Sequence, residues 1–407
     1  MKKEQIRKSL LATALSACLI LVGCGAPGTA TREKEDAIRF LSSDSPYGSG
    51  NESGYYYFTS DENGNSLLRF VDYATLQDVV LCGQPNCAHR DENCPAWFAW
   101  NGVGANVLAS GDSLYILFPG APWSDWVFDT CGEKALPRII KCGPDGSDRQ
   151  ELVRFGAAEA ISSMAAVDGK NLYTVVTDYG AADKAVVKIV TVDLATGAVS
   201  ADESVQRDEL RIVGAWGREL ILQFGTGRNY YAAYNVDTKA LRDLDMTSAS
   251  AAVVSEGALY CVDETTGVIR TVSLKDGSVT ELQTDLLAGE SIPWLMLANV
   301  TEQGYVVQAA TEEGYCNLLV DFEGETTRQT LQADSTEDRD NMRMLEIFAR
   351  QGQNYLVSPS RTYNTVRTPA PNGATYGEDI VEYAFALISA EDFWNSTPNY
   401  RAVTRVG

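Results

Sequence analysis

The sequence predicts an all-β protein: a β-propeller of seven four-stranded blades, preceded by a signal peptide and a short flexible tether. Three observations predict it. A glycine-led strand motif recurs seven times, a strand–turn–strand motif trails it, and no stretch shows helical periodicity. The first motif reads GYYYF from Gly54, GDSLYILF from Gly111, GKNLYTVV from Gly169, GRELILQF from Gly217, GALYCV from Gly257, GYVVQA from Gly304 and GQNYLVS from Gly352. Its intervals are 57, 58, 48, 40, 47 and 48 residues. Each glycine suits a tight turn, and each run after it is rich in the β-branched and aromatic residues that strands favour.

The second motif appears as FVDYATLQDVVL, IIKCGPDGSDRQELV, TVDLATGAVS, YNVDTKALRDL, TVSLKDGSVTEL and LVDFEGETTRQTL, with a weaker echo, FALISAEDF, in the seventh unit. Pro144-Asp145-Gly146 and Lys275-Asp276-Gly277 are hairpin turns. A preceding strand such as RIVGAW, the glycine-led strand and a hairpin make four strands per unit, which is the content and length of a propeller blade. An eight-bladed ring or two stacked sandwiches are the alternatives. Closure is expected to pair Ala37–Leu41 or Tyr400–Val406 with the opposite end of the chain.

Ahead of the repeats, Lys2, Lys3, Arg7 and Lys8 precede an apolar run from Leu10 to Val22. That run falls short of the roughly 20 residues a membrane-spanning helix needs, and it suits a secretion signal. It ends in Leu21-Val22-Gly23-Cys24, which resembles the lipobox of bacterial lipoproteins. The resemblance implies cleavage of residues 1–23 and a diacylglycerol on Cys24. Residues 24–36 then form the lipidated cysteine and a polar tether, and residues 37–407 a single propeller domain. The expected location is the outer face of the cytoplasmic membrane, reached through the lipid alone.

Charge narrows the partners. The chain carries −22, and removing residues 1–23 takes away four basic residues and one acidic one, leaving −25. Such a surface repels phosphate backbones, so no nucleic-acid partner is expected. With 45% hydrophobic residues, 19 tyrosines and 12 phenylalanines, the chain can still bury a core.

The segment LCGQPNCAHRDENC holds Cys82, Cys87, Cys94 and the chain's sole histidine, His89. Three thiols and one imidazole within thirteen residues suit a tetrahedral zinc shell with a structural role, since four protein ligands leave no open position. A disulfide between Cys82 and Cys87 or Cys94 is the alternative outside the cytoplasm. Once Cys18 and Cys24 are set aside, seven cysteines remain, so full internal pairing is impossible. Cys131 and Cys142 are placed to pair across a turn, and Cys261 and Cys316 read as buried thiols. Together with its lipobox, the chain's repeat and this cysteine segment resemble propeller-type surface lipoproteins of Gram-positive bacteria. That likeness implies location and fold, and no reaction.

Three connections are oversized: the Cys/His segment, read as joining units one and two; PGAPWSDW and its continuation in unit two; and residues 358–377 in unit seven. In a seven-membered ring these units adjoin, and their loops are expected to expose Trp97, Trp100, Trp123, Trp126, Arg361, Tyr363, Arg367 and Tyr376 on one face. Aromatics and arginine anchor interfaces, and aromatic faces also hold sugar rings. The competing reading is that these tryptophans pack the loops onto the ring. With the one histidine among thiols, no catalytic triad is available, and no phosphate loop precedes a helix. DENGNS at Asp61 reads as a hairpin turn rather than a calcium loop. The expectation is a non-enzymatic binding or scaffold protein with an unknown protein or glycan ligand. The alternative is a secreted carbohydrate-active hydrolase or lyase using carboxylates or tyrosines in the central funnel.

Overall fold

A computed structural model describes residues 37–41, 48–61, 63–180, 184–288, 292–335, 344–369 and 375–406, with backbone alone at 335, 364–369 and 375–380. Each glycine-led motif becomes the second strand of an antiparallel sheet, and the seven sheets are the blades of a β-propeller. In blade 1 the strands are Gly48–Gly50, Gly54–Ser60, Ser66–Asp72 and Gln77–Val80. Blade 4 repeats the order with Arg211–Trp216, Glu219–Phe224, Asn229–Asn235 and Leu241–Ser248. The glycines at 111, 217, 257, 304 and 352 take positive φ, which explains why glycine marks the first turn of those blades.

Strand order in each blade follows the chain. First-to-second and third-to-fourth turns therefore share one face of the ring, the turn face. Second-to-third connections and blade-to-blade crossings share the other, the loop face. Apolar layers between blades supply the core. Leu108 and Leu117 of blade 2 pack with Ile161 and Val190 of blade 3, and Ile189 of blade 3 packs with Ile212 and Leu220 of blade 4. Between blades 7 and 1 the layer is aromatic: Phe385 meets the rings of Tyr55, Tyr57 and Phe348 at centroid separations of 5.8, 5.1 and 5.2 Å.

Of the two segments expected to close the ring, one does so. Thr404–Val406 adds as a parallel outer strand to Gln77–Val79 of blade 1, just after Arg401–Ala402 has completed blade 7. Arg39–Leu41 instead pairs antiparallel with Ala165–Val167, the innermost strand of blade 3. The Ile38 N–H donates to the Gly217 carbonyl, and Ile38 and Leu41 bury their side chains between blades 2, 3 and 4. The second alternative is the one the ring uses, and Ile38 and Leu41 instead sit between inner strands of neighbouring blades.

Among the described residues two short helices break the all-strand expectation. The first, α1 (Asp125–Cys131), lies in the second-to-third connection of blade 2, and α2 (Ala390–Trp394) replaces a hairpin turn in blade 7. Among the described residues no helix is long and apolar enough to cross a membrane. Segments 1–23 and 24–36, with Cys24, lie outside the described residues.

Candidate metal centre and aromatic rim

Blade 1's outer strand is interrupted. Val80 pairs with Arg69, and the Leu81 N–H donates to the Leu68 carbonyl at 3.0 Å. The chain then leaves and returns at Ala96, whose carbonyl accepts the Leu68 N–H at 2.8 Å, before Trp97–Phe98 resumes the ladder against Ser66–Leu67. The Cys/His segment is therefore an excursion within one strand of blade 1, pinched shut at Leu68. The sequence reading took it for a plain blade-to-blade crossing.

Inside the excursion two tight turns place the cysteines. The Cys87 N–H donates to Gln84 O and the Cys94 N–H to Asp91 O, while Asn86 and His89 adopt left-handed backbone at φ 59° and 55°. Left-handed conformations at non-glycine residues carry strain that local packing or binding must offset. The result is convergence: the ligating atoms of Cys82, Cys87, His89 and Cys94 all lie within 4.8 Å of one another. His89 Nδ1 stands 3.3 Å from Cys94 Sγ.

None of the seven cysteines among the described residues forms a disulfide. Cys94 is fully buried in the apolar layer formed with Ala96, Phe98, Phe118 and Ile140, and Cys82 and Cys87 pack against that layer. Burial pushes the Cys94 thiol up to about 12, whereas the His89 N–H, donating to Cys87, draws that thiol below its ordinary value. Arg149 brings a nearby positive charge: its guanidinium lies over the Phe98 ring at 3.9 Å and donates to the Trp97 carbonyl at 3.3 Å. Burial lowers the Arg149 pKa, partly offset by the nearby thiols of Cys142 and Cys94.

The other cysteines do not pair. Cys131 ends α1 and Cys142 is buried in a strand of blade 2, which corrects the expectation of a cross-turn disulfide. Cys261 and Cys316 are buried thiols, as expected. The stretch at Asp61 is a turn: Asp61 Oδ1 accepts from the N–H groups of Asn63 and Asn65 at 2.8 and 2.9 Å.

The aromatic residues divide. Trp97 is half-buried against the blade 1–blade 2 layer, its indole N–H buried without an acceptor among the described residues. Trp100 meets Trp126 edge-on at 5.8 Å, which packs the end of the excursion against α1. Trp123 is different: it is 65% exposed, and its ring meets the 47%-exposed ring of Tyr179, from blade 3, at 6.1 Å. Beside it, Pro122, Asp125, Phe128, Asp129, Leu136 and Ala157 line a cleft of about 410 Å³.

Arg361 was expected on the exposed rim, but it is 7% exposed and sits 3.9 Å from Glu346 at the base of the long blade 7 hairpin. Its ionic neighbour lies fifteen positions away in sequence. Tyr363 is half-buried on the same strand. The backbones of Arg367 and Tyr376 lie in the hairpin, and their side chains lie outside the description. Loops from blades 1 and 2 thus meet, and blade 3 contributes Tyr179 and Ala157. Sequence reasoning missed both, since single residues in short connections carry no signal.

No protein-family model and no curated protein matches the chain. Solved structures do match. A puromycin-hydrolysing peptidase of Mycobacterium tuberculosis aligns at 13% identity with a TM-score of 0.50, over 94% of this chain and 55% of that one. A prolyl endopeptidase aligns at 12% identity with a TM-score of 0.51, over 94% and 56%. The chain spans about half the length of these proteins, and the likeness is one of fold.

Proposed function

We propose that this is a non-enzymatic binding or scaffold protein, displayed outside the cell and held at the outer face of the cytoplasmic membrane by a diacylglycerol on Cys24. The observation that carries the binding role is the Trp123–Tyr179 pair. Two large rings stand exposed on the loop face, from connections of blades 2 and 3, next to a cleft lined by Pro122, Phe128 and Leu136 and by the carboxylates of Asp125 and Asp129. Preorganised aromatic surface of this kind suits a protein segment or a saccharide.

The rival reading, carbohydrate cleavage in the central funnel, finds less support. Ile38 and Leu41 occupy the inner edge beside blades 2 to 4, and Gly50, Asn51, Val254, Asn299, Ile347 and Arg350 line a cavity of about 320 Å³ near the opposite blades, with no carboxylate in its lining. The peptidases that share the fold are about twice as long, and their hydrolytic activity is not carried over to this chain.

The test is capture by the intact, detergent-extracted protein from envelope extract, alongside an array of envelope and host glycans. Trp123→Ala and Tyr179→Ala are each expected to abolish capture without moving Tm. Capture unaffected by either change would remove the proposed site, and release of reducing ends from a polysaccharide would favour the enzyme. Cys24→Ala is expected to shift the protein from the detergent phase to the aqueous phase.

A further inference from the structure

We infer that Cys82, Cys87, His89 and Cys94 bind one zinc ion as a closed structural centre that staples the excursion of blade 1 and welds it to blade 2. The donor set comes first. Three thiolates and one imidazole are a common zinc shell, with Zn–S near 2.3 Å and Zn–N near 2.0–2.1 Å. A tetrahedron with those radii has edges of about 3.8 Å between sulfurs. The four donor atoms already lie within 4.8 Å of one another, so side-chain adjustments well under an ångström on each arm close the shell.

Backbone and burial favour a metal over a disulfide. All four donor atoms converge on one place, and a disulfide would leave a third thiol and an imidazole with no common task. The left-handed residues Asn86 and His89 turn the chain so that the His89 ring joins the sulfurs, with Nδ1 toward Cys94.

Charge and protons balance. Zinc binding to three thiols and a neutral imidazole releases three protons and leaves a centre of net charge −1. Arg149 brings a positive charge to the same layer, its guanidinium over the Phe98 ring and donating to the Trp97 carbonyl, as a compensating neighbour requires. The excursion also needs its own core. Among its residues only Cys94 and Ala96 are buried, and both ends hang on the single residue Leu68. A metal would supply the missing centre. It would also fix Glu92 opposite Lys134 at 3.6 Å and seat the strand that carries Trp97 and Phe98. No open coordination position remains, so the role is structural rather than catalytic.

The experiment uses the full chain, extracted in detergent under reducing conditions with zinc in the growth medium. Elemental analysis is expected to give one zinc per chain. Cys87→Ser should bring zinc to background, while Cys142→Ala, which removes a buried thiol of the same apolar layer that is not a ligand, should retain it. If Cys87→Ser fails to fold, cobalt exchanged into the unmodified protein is the second readout. Thiolate-to-cobalt charge transfer in the near ultraviolet with visible bands of tetrahedral cobalt supports the site. Absence of zinc, retention of zinc by Cys87→Ser, or a mass two daltons low from a disulfide among Cys82, Cys87 and Cys94 overturns it.

Discussion

Arg69 and Asp78 meet at 2.9 Å inside blade 1, and the same guanidinium donates to the Val406 carbonyl at 3.3 Å, in the strand that closes the ring. Both side chains are almost wholly buried, and Tyr57 donates to the second carboxylate oxygen at 2.6 Å. The ion pair is thus a latch: three strands of blade 1, the C-terminal strand and the aromatic layer facing blade 7 share one hydrogen-bonded centre. Removing one partner strands a buried charge. Asp78→Ala is expected to lose about 3–5 kcal/mol of stability, measured by thermal or denaturant unfolding. Deleting residues 404–407 should lower Tm by less, because Arg69 keeps Asp78; an equal loss would mean the latch has no centre of its own.

A second ion pair links neighbouring blades and gives a pH signature. Asp168 of blade 3 accepts from Arg218 of blade 4 at 2.8 Å and from the Tyr173 hydroxyl at 2.7 Å, and Arg218 also holds Asp237 at 2.8 Å. Burial acts to raise the Asp168 pKa, but the bonds from Arg218, Tyr173 and the backbone outweigh it and hold the carboxyl below its ordinary value. A carboxyl depressed in the folded state contributes stability that is complete above its unfolded pKa of about 3.9 and is lost as pH falls through the folded one. Asp168→Asn should therefore cost about 2 kcal/mol near neutrality, and its deficit should shrink toward zero in strongly acidic solution. A deficit constant across pH would show that packing, not ionisation, carries the effect.

How much of this was legible in the sequence follows from range. Gly217 and Gly257 mark blade turns because a positive φ is a local demand that one residue type meets, and Asp276-Gly277 marks a hairpin for the same reason. The approach of Cys82, Cys87, His89 and Cys94 was readable because the loop is short. The choice of blade 3 by Arg39–Leu41 was not, since no local pattern distinguishes an inner edge from an outer one. Seven residues of α1, with only Val127 buried and no side-chain cap from Ser124, show no helical period to read. The burial of Arg361 depends on Glu346, fifteen positions away, and on hairpin geometry the sequence does not state.

The tryptophans of the loop face should separate by role. Trp97 packs on the blade 1–blade 2 layer, so Trp97→Ala is expected to cost about 2–3 kcal/mol, somewhat less than a fully buried tryptophan. Trp97→Phe should cost much less, because it keeps the ring contact and removes an indole N–H that is buried without an acceptor. Trp123→Ala, at an exposed position, should shift stability by less than about 0.5 kcal/mol. Unfolding curves of the three variants decide it; a large loss at Trp123 would make that residue part of the packing and withdraw it from the binding surface.

The strand Arg39–Leu41 makes the ring depend on residues ahead of its first blade. Ile38 and Leu41 are each about nine-tenths buried or more, between blades 3 and 4 and between blades 2 and 3 respectively. Arg39 adds a hydrogen bond to Ser110 at 3.0 Å, on the first turn of blade 2. Three neighbouring blades thus converge on a segment of five residues next to the tether. Ile38→Ala and Leu41→Ala should each cost about 2–4 kcal/mol, the range for truncating a buried aliphatic side chain. Because the two side chains sit in separate layers, their losses should add in the double variant to within about 0.5 kcal/mol. Denaturant unfolding measures both, with an unchanged m-value if the ring still unfolds as one unit. Single losses below about 1 kcal/mol would mean that the inner strand merely rests on blade 3. The tether could then be shortened past Leu41 without harm, whereas the observed burial predicts that a chain beginning after Leu41 has a measurably lower Tm.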